Sequence, residues 1–171
     1  MEKIIRGEVH KFGNNIDTDQ IYPGRYLELT DTADIAKHTL EGADPTFPER
    51  FTPGGIVVGG TNFGCGSSRE HAAISLQTIG VSLVVAESFA RIFYRNGVNL
   101  GLPLLVCPGI AQKVNESDTL VVNLETGVVK NLTQGSQLQG EQISDYVLHI
   151  LEAGGIKPLL RAKYGKNGHK K

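Results

Sequence analysis

The sequence has few cysteines. Two of them, Cys65 and Cys107, occur in 171 residues, without CxxC spacing and without a His-rich neighbourhood. A disulfide framework or a zinc site therefore has little support. The chain is long enough to bury a core without such links, and two thiols are typical of proteins kept in a reducing cytosol. We expect a cytoplasmic protein with no metal site of its own.

The sequence also lacks an excess of charge and any long apolar run. Its 17 basic and 18 acidic side chains give a net charge of −1, which excludes a sequence-wide attraction to nucleic acid or to anionic membranes. Residues 1–6 lack the apolar stretch of a signal peptide, and no segment approaches membrane-spanning length. We expect residues 1–160 to form a single domain and the basic residues 161–171 to be a mobile tail.

Short apolar runs alternate with helical patterns, which predicts an α/β fold with βαβ units and parallel pairing. The run between glycines at 54–60 and the run at 81–86 are typical of buried strands, and a further strand is predicted at 102–106. Helices are predicted over 67–79 and 88–96. The remaining predictions are a first strand at 4–12, a loop at 13–19, a short helix at 34–40, an irregular connection at 41–53, a hairpin at 119–124 and 128–132, and a last helix at 143–153 ended by Gly154 and Gly155.

The segment richest in chemistry is 62–72, Asn-Phe-Gly-Cys-Gly-Ser-Ser-Arg-Glu-His-Ala, which follows a predicted strand and opens a predicted helix. Ligands bind at the carboxyl ends of strands in open α/β sheets, and helix N-termini favour anions. Gly64 and Gly66 allow the backbone to approach a ligand closely, and Arg69 is suited to bind a carboxylate with two hydrogen bonds. The segment therefore predicts an anion site faced by the hydroxyls of Ser67 and Ser68.

Plainer interpretations of the same residues stay open. Ser67 and Glu70 match the S-x-x-E capping box, in which the serine would only cap a helix. Cys65 between two glycines is typical of turn geometry, and His71 is typical of a hydrogen-bonded structural group. The third glycine of a dinucleotide fingerprint, a GK[ST] phosphate loop and a nucleophile elbow are all missing, so the sequence does not indicate a nucleotide-binding protein or a hydrolase.

Residues 62–72 resemble the signature of the swivelling domain of the aconitase superfamily. Two further segments are similar to the family in the right order, Asp-Thr-Asp-Gln-Ile-Tyr-Pro at 17–23 and Ser-Phe-Ala-Arg-Ile-Phe-Tyr-Arg-Asn at 88–96, the latter followed by Gly-Leu-Pro at 101–103. The resemblance extends from about residue 7 to residue 155. It implies a swivelling β/β/α three-layer domain of the aconitase C-terminal, small-subunit type.

A chain of this length with only this domain resembles the separate small subunits of the isopropylmalate dehydratase family. The resemblance implies a hydro-lyase of leucine biosynthesis that is active only with a large subunit, whose [4Fe-4S] cluster is the cofactor. The reaction would dehydrate a 2-hydroxy di-acid and rehydrate the product at the neighbouring carbon. Ser67 matches the general base, and Ser68, Arg69 and Asp19 match groups that bind substrate. Self-association of the small subunit is a further possibility.

The family's specificity loop corresponds here to Leu27, Glu28, Leu29 and Thr30. Homoaconitase-type members tend to place arginine there, whereas the Glu28 carboxylate would repel a third substrate carboxylate. Leu27 and Leu29 could receive an alkyl group, which favours isopropylmalate, with 2,3-dimethylmalate and homocitrate as alternatives. A non-catalytic carboxylate-binding module also stays open, since an anion site alone would need the same residues.

Overall fold

The computed structural model describes the backbone of residues 3–168 and the side chains of residues 3–164. Its strands and helices follow one another in a largely alternating order. They are β1 (Ile4–Lys11), α1 (Thr18–Ile21), α2 (Thr32–Ala36), α3 (Phe47–Arg50), β2 (Ile56–Gly59), α4 (His71–Ile79), β3 (Leu83–Ala86), α5 (Arg91–Asn99), β4 (Leu104–Val106), α6 (Ile110–Lys113), β5 (Thr119–Asn123), β6 (Val128–Asn131), β7 (Ser136–Gln139), α7 (Asp145–Glu152) and α8 (Ile156–Gly168).

One sheet contains all these strands, in the order β4-β3-β2-β1-β5-β6-β7. β1 to β4 pair in parallel, in register from Val9 opposite Ile56 and from Val84 opposite Leu104. β1 also pairs antiparallel with β5, and β5 to β7 continue as antiparallel neighbours. The parallel pairing predicted for the central segments and the hairpin of β5 and β6 are therefore confirmed.

Two apolar clusters divide the molecule into layers. One cluster contains parallel-strand residues such as Val58 and Val85 together with antiparallel-strand residues such as Val122 and Val129, so the curled sheet encloses it. The second cluster lies on the opposite face of the parallel strands, where α4 and α5 pack over Val57, Val84 and Leu104. The α/β fold of β/β/α type is confirmed.

The predicted start of the central helix is wrong. α4 begins at His71, and Glu70 at its N-cap makes no capping hydrogen bond through its side chain, so residues 67–70 form a loop and not a first turn. The reason is local. Gly64 and Gly66 adopt φ angles of +86° and +104°, which turn the chain away from a helix, and Ser67 Oγ accepts a hydrogen bond from Arg69 N within the loop. The capping-box interpretation of Ser67 and Glu70 therefore fails.

A capping box does occur at the start of α1, inside the predicted 13–19 loop. The Asp17 carboxylate accepts from Gln20 N at 2.7 Å, and the Gln20 amide oxygen accepts from Asp17 N at 3.0 Å. A 3-10 turn over Gly24–Tyr26 follows. The capping box and this turn together fix the position of the chain just before the family's specificity loop.

Other element boundaries differ from the prediction. α2 begins two residues earlier than predicted because Asp31 caps it, and α5 begins at Arg91 instead of Ser88. α3, α6 and β7 were not predicted. Gly154 and Gly155 end α7 as expected, but α8 follows them and continues to Gly168. Of the predicted tail, residues 161–168 belong to α8 and residues 169–171 lie outside the described part, so its mobility stays a prediction.

Among residues 3–168, none of the helices combines the length and the apolar character needed to cross a membrane.

Candidate active site

The first two motif segments meet beyond the carboxyl ends of β1 and β2. Backbone hydrogen bonds continue the pairing past the strands, from Gly64 N to Ile16 O at 2.7 Å and from Thr18 N to Cys65 O at 2.8 Å. Asp17 and Cys65 form an isolated parallel bridge. The start of α1 therefore lies directly beside the Ser67 loop, at the end of the sheet where ligands bind in α/β folds.

The third motif segment supports the same loop from the other side. Phe63 N donates to Ser88 O at 3.0 Å, and Ala90 N donates to Phe63 O at 2.9 Å. The Asn96 amide of α5 donates to Ser68 O at 3.0 Å. All three segments that carry the family resemblance thus come together around Ser67 and Ser68.

Gly64 is required where the Ser67 loop passes over the ring of Phe93. A Cβ atom at this position would overlap the Phe93 ring, and the φ of +86° is unfavourable for other residues. Phe93 packs edge-on against the fully buried Phe63. The close contact fixes the path of the loop just before its reactive residues.

Ser67 is half-buried and is held through both its backbone and its side chain. Ser67 N donates to Thr18 Oγ1 at 3.0 Å, while Ser67 Oγ accepts from Arg69 N at 3.2 Å. The backbone N–H of Arg69 therefore points at the oxygen that would carry negative charge if Ser67 lost its proton. Such a donor stabilises an alkoxide, which a serine needs in order to act as a base.

Asp19 and Arg69 flank the backbone of Gly24. Asp19 Oδ1 accepts from Gly24 N at 2.8 Å, and a Cβ built on Gly24 would lie 3.7 Å from both terminal nitrogens of Arg69. Arg69 is exposed, and within the described residues no carboxylate lies within 4.0 Å of it. Its guanidinium is therefore available to an anion from outside the chain.

The residue just before the specificity loop, Tyr26, is held by several contacts. Tyr22 Oη donates to Tyr26 O at 2.7 Å, and the Tyr26 ring stacks on His38 with centroids 3.6 Å apart and planes 11° apart. The Arg25 guanidinium lies 4.8 Å from the Tyr26 ring centroid. Gly24, three residues before Leu27, lies between Asp19 and Arg69, so the loop begins close to the predicted substrate-binding residues. Leu27 and Leu29 are half-buried in it, and Glu28 and Thr30 are exposed.

Comparison with known proteins agrees with this geometry. The family model described as the aconitase C-terminal domain matches residues 49–108. The small subunit of the isopropylmalate/citramalate isomerase of Methanocaldococcus jannaschii is 56% identical over 167 residues, covering 98% of this chain and 99% of the relative. The chain belongs to the family of aconitase-type dehydratase small subunits.

Further members of this small-subunit family carry different names. The 3-isopropylmalate dehydratase small subunit 1 of Methanopyrus kandleri is 52% identical and covers 94% of this chain and 95% of its own length. The methanogen homoaconitase small subunit of Methanothermobacter thermautotrophicus is 48% identical, with coverages of 91% and 90%. The prediction that the chain is the small subunit of an aconitase-type hydro-lyase is confirmed.

A solved small subunit shows the same fold. The crystal structure described as 3-isopropylmalate dehydratase from Methanocaldococcus jannaschii superposes with a TM-score of 0.91 at 37% identity, covering 98% of this chain and 99% of that one. The likeness therefore extends over nearly the whole of both chains.

Cysteine chemistry has no support at Cys107. Its side chain is fully buried, and burial together with the nearby Glu87 carboxylate raises the pKa of the thiol to about 11. Cys65 is half-buried and contributes its carbonyl to Thr18. In the described part of this small subunit, no three His, Cys, Asp or Glu side chains gather as a metal site would require.

Three residues that shape the site were not identified individually from the sequence. Thr18, Tyr22 and Asn96 each bond to the Ser67 loop or to the specificity loop through a side chain. All three lie inside the segments that resemble the family, and that location was the available signal. The partners of Thr18 and Asn96 lie 49 and 28 positions away in sequence, so no local pattern reveals them, whereas Tyr22 bonds to Tyr26, only four positions away.

Proposed function

We propose that this chain, docked to a large subunit, forms a dehydratase that interconverts 2- and 3-isopropylmalate in the biosynthesis of leucine. The observation that supports this most is the convergence of Ser67, Arg69 and Asp19 beside the specificity loop at one end of the sheet. Relatives named for isopropylmalate are similar over nearly the whole chain. We propose further that the complex is cytoplasmic and needs both chains for activity.

Ser67 would act as the base that removes a proton from the carbon next to a substrate carboxylate. Loss of that proton and of the neighbouring hydroxyl gives the unsaturated acid and water, and addition of water in the opposite sense gives the isomer. The backbone N–H of Arg69 donates a hydrogen bond to Ser67 Oγ at 3.2 Å. This hydrogen bond favours the deprotonated form of the serine in this step.

Ser68 and Arg69 would hold a substrate carboxylate. The guanidinium offers paired N–H donors that match the two oxygens of a carboxylate, and Ser68 next to it is exposed and can add a hydroxyl. Asp19 would face the same substrate, while its Oδ1 also accepts a hydrogen bond from Gly24 N. The substrate would therefore lie between the start of α1 and the Ser67 loop.

We propose that a [4Fe-4S] cluster is held by the large subunit. The described residues of this chain do not fit a cluster site, because Cys107 is buried with a raised pKa and no group of three ligating side chains gathers around Cys65. A cluster bound by the partner would supply a Lewis acid for the leaving hydroxyl. Every role assigned to this chain concerns binding and proton transfer.

The substrate proposal depends on the specificity loop. The exposed Glu28 carboxylate disfavours a third carboxylate at this position, and the half-buried Leu27 and Leu29 offer apolar surface for an alkyl group. Isopropylmalate fits this combination, and dimethylmalate and citramalate are smaller members of the same alkylmalate class. A homocitrate-type substrate, as in the relative named homoaconitase, would bring an extra carboxylate close to Glu28.

A Ser67→Ala variant in the assembled complex tests the catalytic role. We expect turnover to fall by a factor of about 1000 or more, since the base is lost, while assembly and substrate binding persist. Ser68→Ala is the matched control, because it removes a neighbouring hydroxyl and should mainly weaken substrate binding. Unchanged turnover in the Ser67→Ala complex would show that this serine is not the base, and this chain would then bind the substrate carboxylate without supplying the group that removes the proton.

A further inference from the structure

Thr18 makes two hydrogen bonds to the Ser67 loop. It is the first residue of α1 and is only 6% exposed. Its backbone N–H donates to Cys65 O at 2.8 Å, and its hydroxyl oxygen accepts from Ser67 N at 3.0 Å. One buried residue therefore grips the loop on both sides of Gly66.

The loop needs such a hold because little else fixes Ser67. Residues 67–70 precede α4, so the backbone of Ser67 is outside the hydrogen-bond pattern of any helix or strand. Gly66 before it, at a φ of +104°, has more conformational freedom than other residues. Across residues 3–168, Ser67 N finds no backbone carbonyl as a partner, and Thr18 Oγ1 takes that place.

Gly66 also allows the threonine to come this close. A Cβ at Gly66 would lie 3.2 Å from Thr18 Oγ1, so a larger residue would press on the hydroxyl. The capping box of Asp17 and Gln20 fixes the start of α1 and thereby fixes Thr18 itself. The short, capped helix α1 thus fixes the position of Ser67 through Thr18.

We propose that Thr18 is a positioning residue for catalysis, whose hydroxyl oxygen orients Ser67 through the backbone N–H. The proposal rests on the role of Ser67 as the base described above. Thr18 does not reach the substrate in this account. It keeps Ser67 Oγ next to Arg69 N and aimed at the reacting carbon, and a displacement of about 1 Å at a reacting group can cost a factor of about 100 in rate.

Two substitutions separate the hydroxyl from the shape of the side chain. Thr18→Val keeps the volume and the branching but removes the acceptor, and Thr18→Ser keeps the acceptor but removes the methyl group. In the complex with the large subunit, we expect Thr18→Val to lower kcat by a factor of about 10 to 100 with KM within about 3-fold of the wild type. Thr18→Ser should retain kcat within about 3-fold. Equal losses in both variants, or a Thr18→Val complex with normal kcat, would overturn the proposal.

Hydrogen exchange of the Ser67 amide tests the same hydrogen bond without an activity measurement, and its first comparison uses the wild-type complex alone. In the wild-type complex we expect this amide to exchange more slowly than the exposed amide of Glu70, and in Thr18→Val we expect that protection to disappear. A Ser67 amide that exchanges freely in the wild type would contradict the proposal, even where Thr18→Val fails to fold.

The outcome for Ser67 itself is separable. If Ser67→Ala kept normal turnover, the proposed base would be wrong. The exchange measurement would still report whether Thr18 holds the loop.

Discussion

Arg69 is the charged side chain of the site best placed for a carboxylate. It is exposed, it lies beside Gly24 opposite Asp19, and no carboxylate of the described residues lies within 4.0 Å of its guanidinium. A guanidinium presents two parallel donors to a carboxylate, whereas an ammonium presents a single point of charge. The residue therefore contributes both charge and orientation.

Replacing Arg69 should weaken substrate binding more than it slows chemistry. We expect Arg69→Gln to raise KM by a factor of about 10 to 100, because a hydrogen-bonded charge contributes about 1.5–3 kcal/mol, and Arg69→Lys to give a smaller increase. Steady-state kinetics of the assembled complex measure this. Arg161→Gln, on the exposed surface of α8, is the control and should leave KM unchanged. An unchanged KM in Arg69→Gln would exclude Arg69 as the carboxylate anchor.

Asp118 shows how a buried charge can stabilise the antiparallel half of the sheet. It is 5% exposed, and its Oδ2 accepts from Asn115 N, Asn131 Nδ2 and Gln134 Nε2 at 2.9, 2.9 and 2.7 Å. Burial alone would raise the pKa of this carboxyl, but the three donors outweigh burial and hold the pKa below its usual range. The charged form is therefore the one that the fold stabilises.

Stability should depend on pH through this group. Since the folded-state pKa is lowered, the stabilisation is present above the ordinary aspartate pKa of about 3.9 and is lost as pH falls through the folded value. We expect Asp118→Asn, which keeps an acceptor oxygen but loses the charge, to be about 1 kcal/mol less stable than the wild type at pH 7, and we expect a smaller difference at about pH 3, because the stabilisation is lost progressively as the pH falls below about 3.9. Urea unfolding at both pH values measures the difference. A gap of the same size at both would contradict the account, and the exposed Asp145→Asn serves as the control.

At the scale of elements, the specificity loop owes its starting point to one buried tyrosine. Tyr22 is 3% exposed, and its hydroxyl holds the carbonyl of Tyr26, the residue that precedes Leu27 and Glu28. The stack of Tyr26 on His38 adds a second contact. Loop residues that recognise an alkyl group can discriminate by size only if the loop has a fixed position.

Tyr22→Phe removes this hydroxyl and keeps the ring. We expect the preference for isopropylmalate over the smaller citramalate, expressed as a ratio of kcat/KM values, to fall by a factor of about 3 to 10, since one extra methylene is worth a factor of about 10 to 200 in a well-ordered apolar pocket. Competition assays with both acids measure the ratio. Tyr146→Phe, at a side chain that is 68% exposed, should leave it unchanged. The anchoring role of Tyr22 is wrong if the ratio is the same in Tyr22→Phe and in the wild type.

The sequence predicted strands and their pairing better than it predicted helix starts. The strand residues 83–86 are apolar over their whole length because both faces of the parallel strands are covered, and this pattern can be read from the sequence alone. The start of α4 was misplaced because Ser67 and Glu70 satisfy a local capping rule, while tertiary hydrogen bonds to Thr18 and two glycines with positive φ decide the outcome. The capping box of Asp17 and Gln20 was visible in the sequence, but α1 is only four residues long and gives no periodic signal.

The residues of the candidate site could be predicted from the motif segments, but the geometry of the site could not be predicted from the sequence. The sequence indicated Ser67, Arg69 and Asp19 because these residues match a family pattern, and the structure shows the latter two on either side of Gly24. The supporting contacts from Thr18 and Asn96 depend on how the segments that follow three separate strands, β1, β2 and β3, pack together. Such contacts follow from the fold and not from spacing along the chain.

At the scale of the whole molecule, the three layers leave the reactive loop on an open end of the sheet. Ser68, Arg69 and Asp19 are exposed there, and no described segment of the chain covers them. A serine that acts as a base must form an alkoxide, and the surrounding groups stabilise this alkoxide best where water is excluded. The proposed mechanism therefore requires a second chain to close the site, and we propose that this small subunit acts as a lid on that partner.

Reconstitution of the two subunits tests this requirement most directly. The chain is combined with an aconitase-type large subunit, the [4Fe-4S] cluster that we propose for that subunit is rebuilt without oxygen, and formation of the unsaturated acid is followed with isopropylmalate, dimethylmalate, citramalate, homocitrate and citrate. We expect turnover only when both chains are present, with isopropylmalate preferred and homocitrate and citrate poor. A stable complex with an intact cluster that turns over none of these acids, or a small subunit that is active alone, would contradict the account.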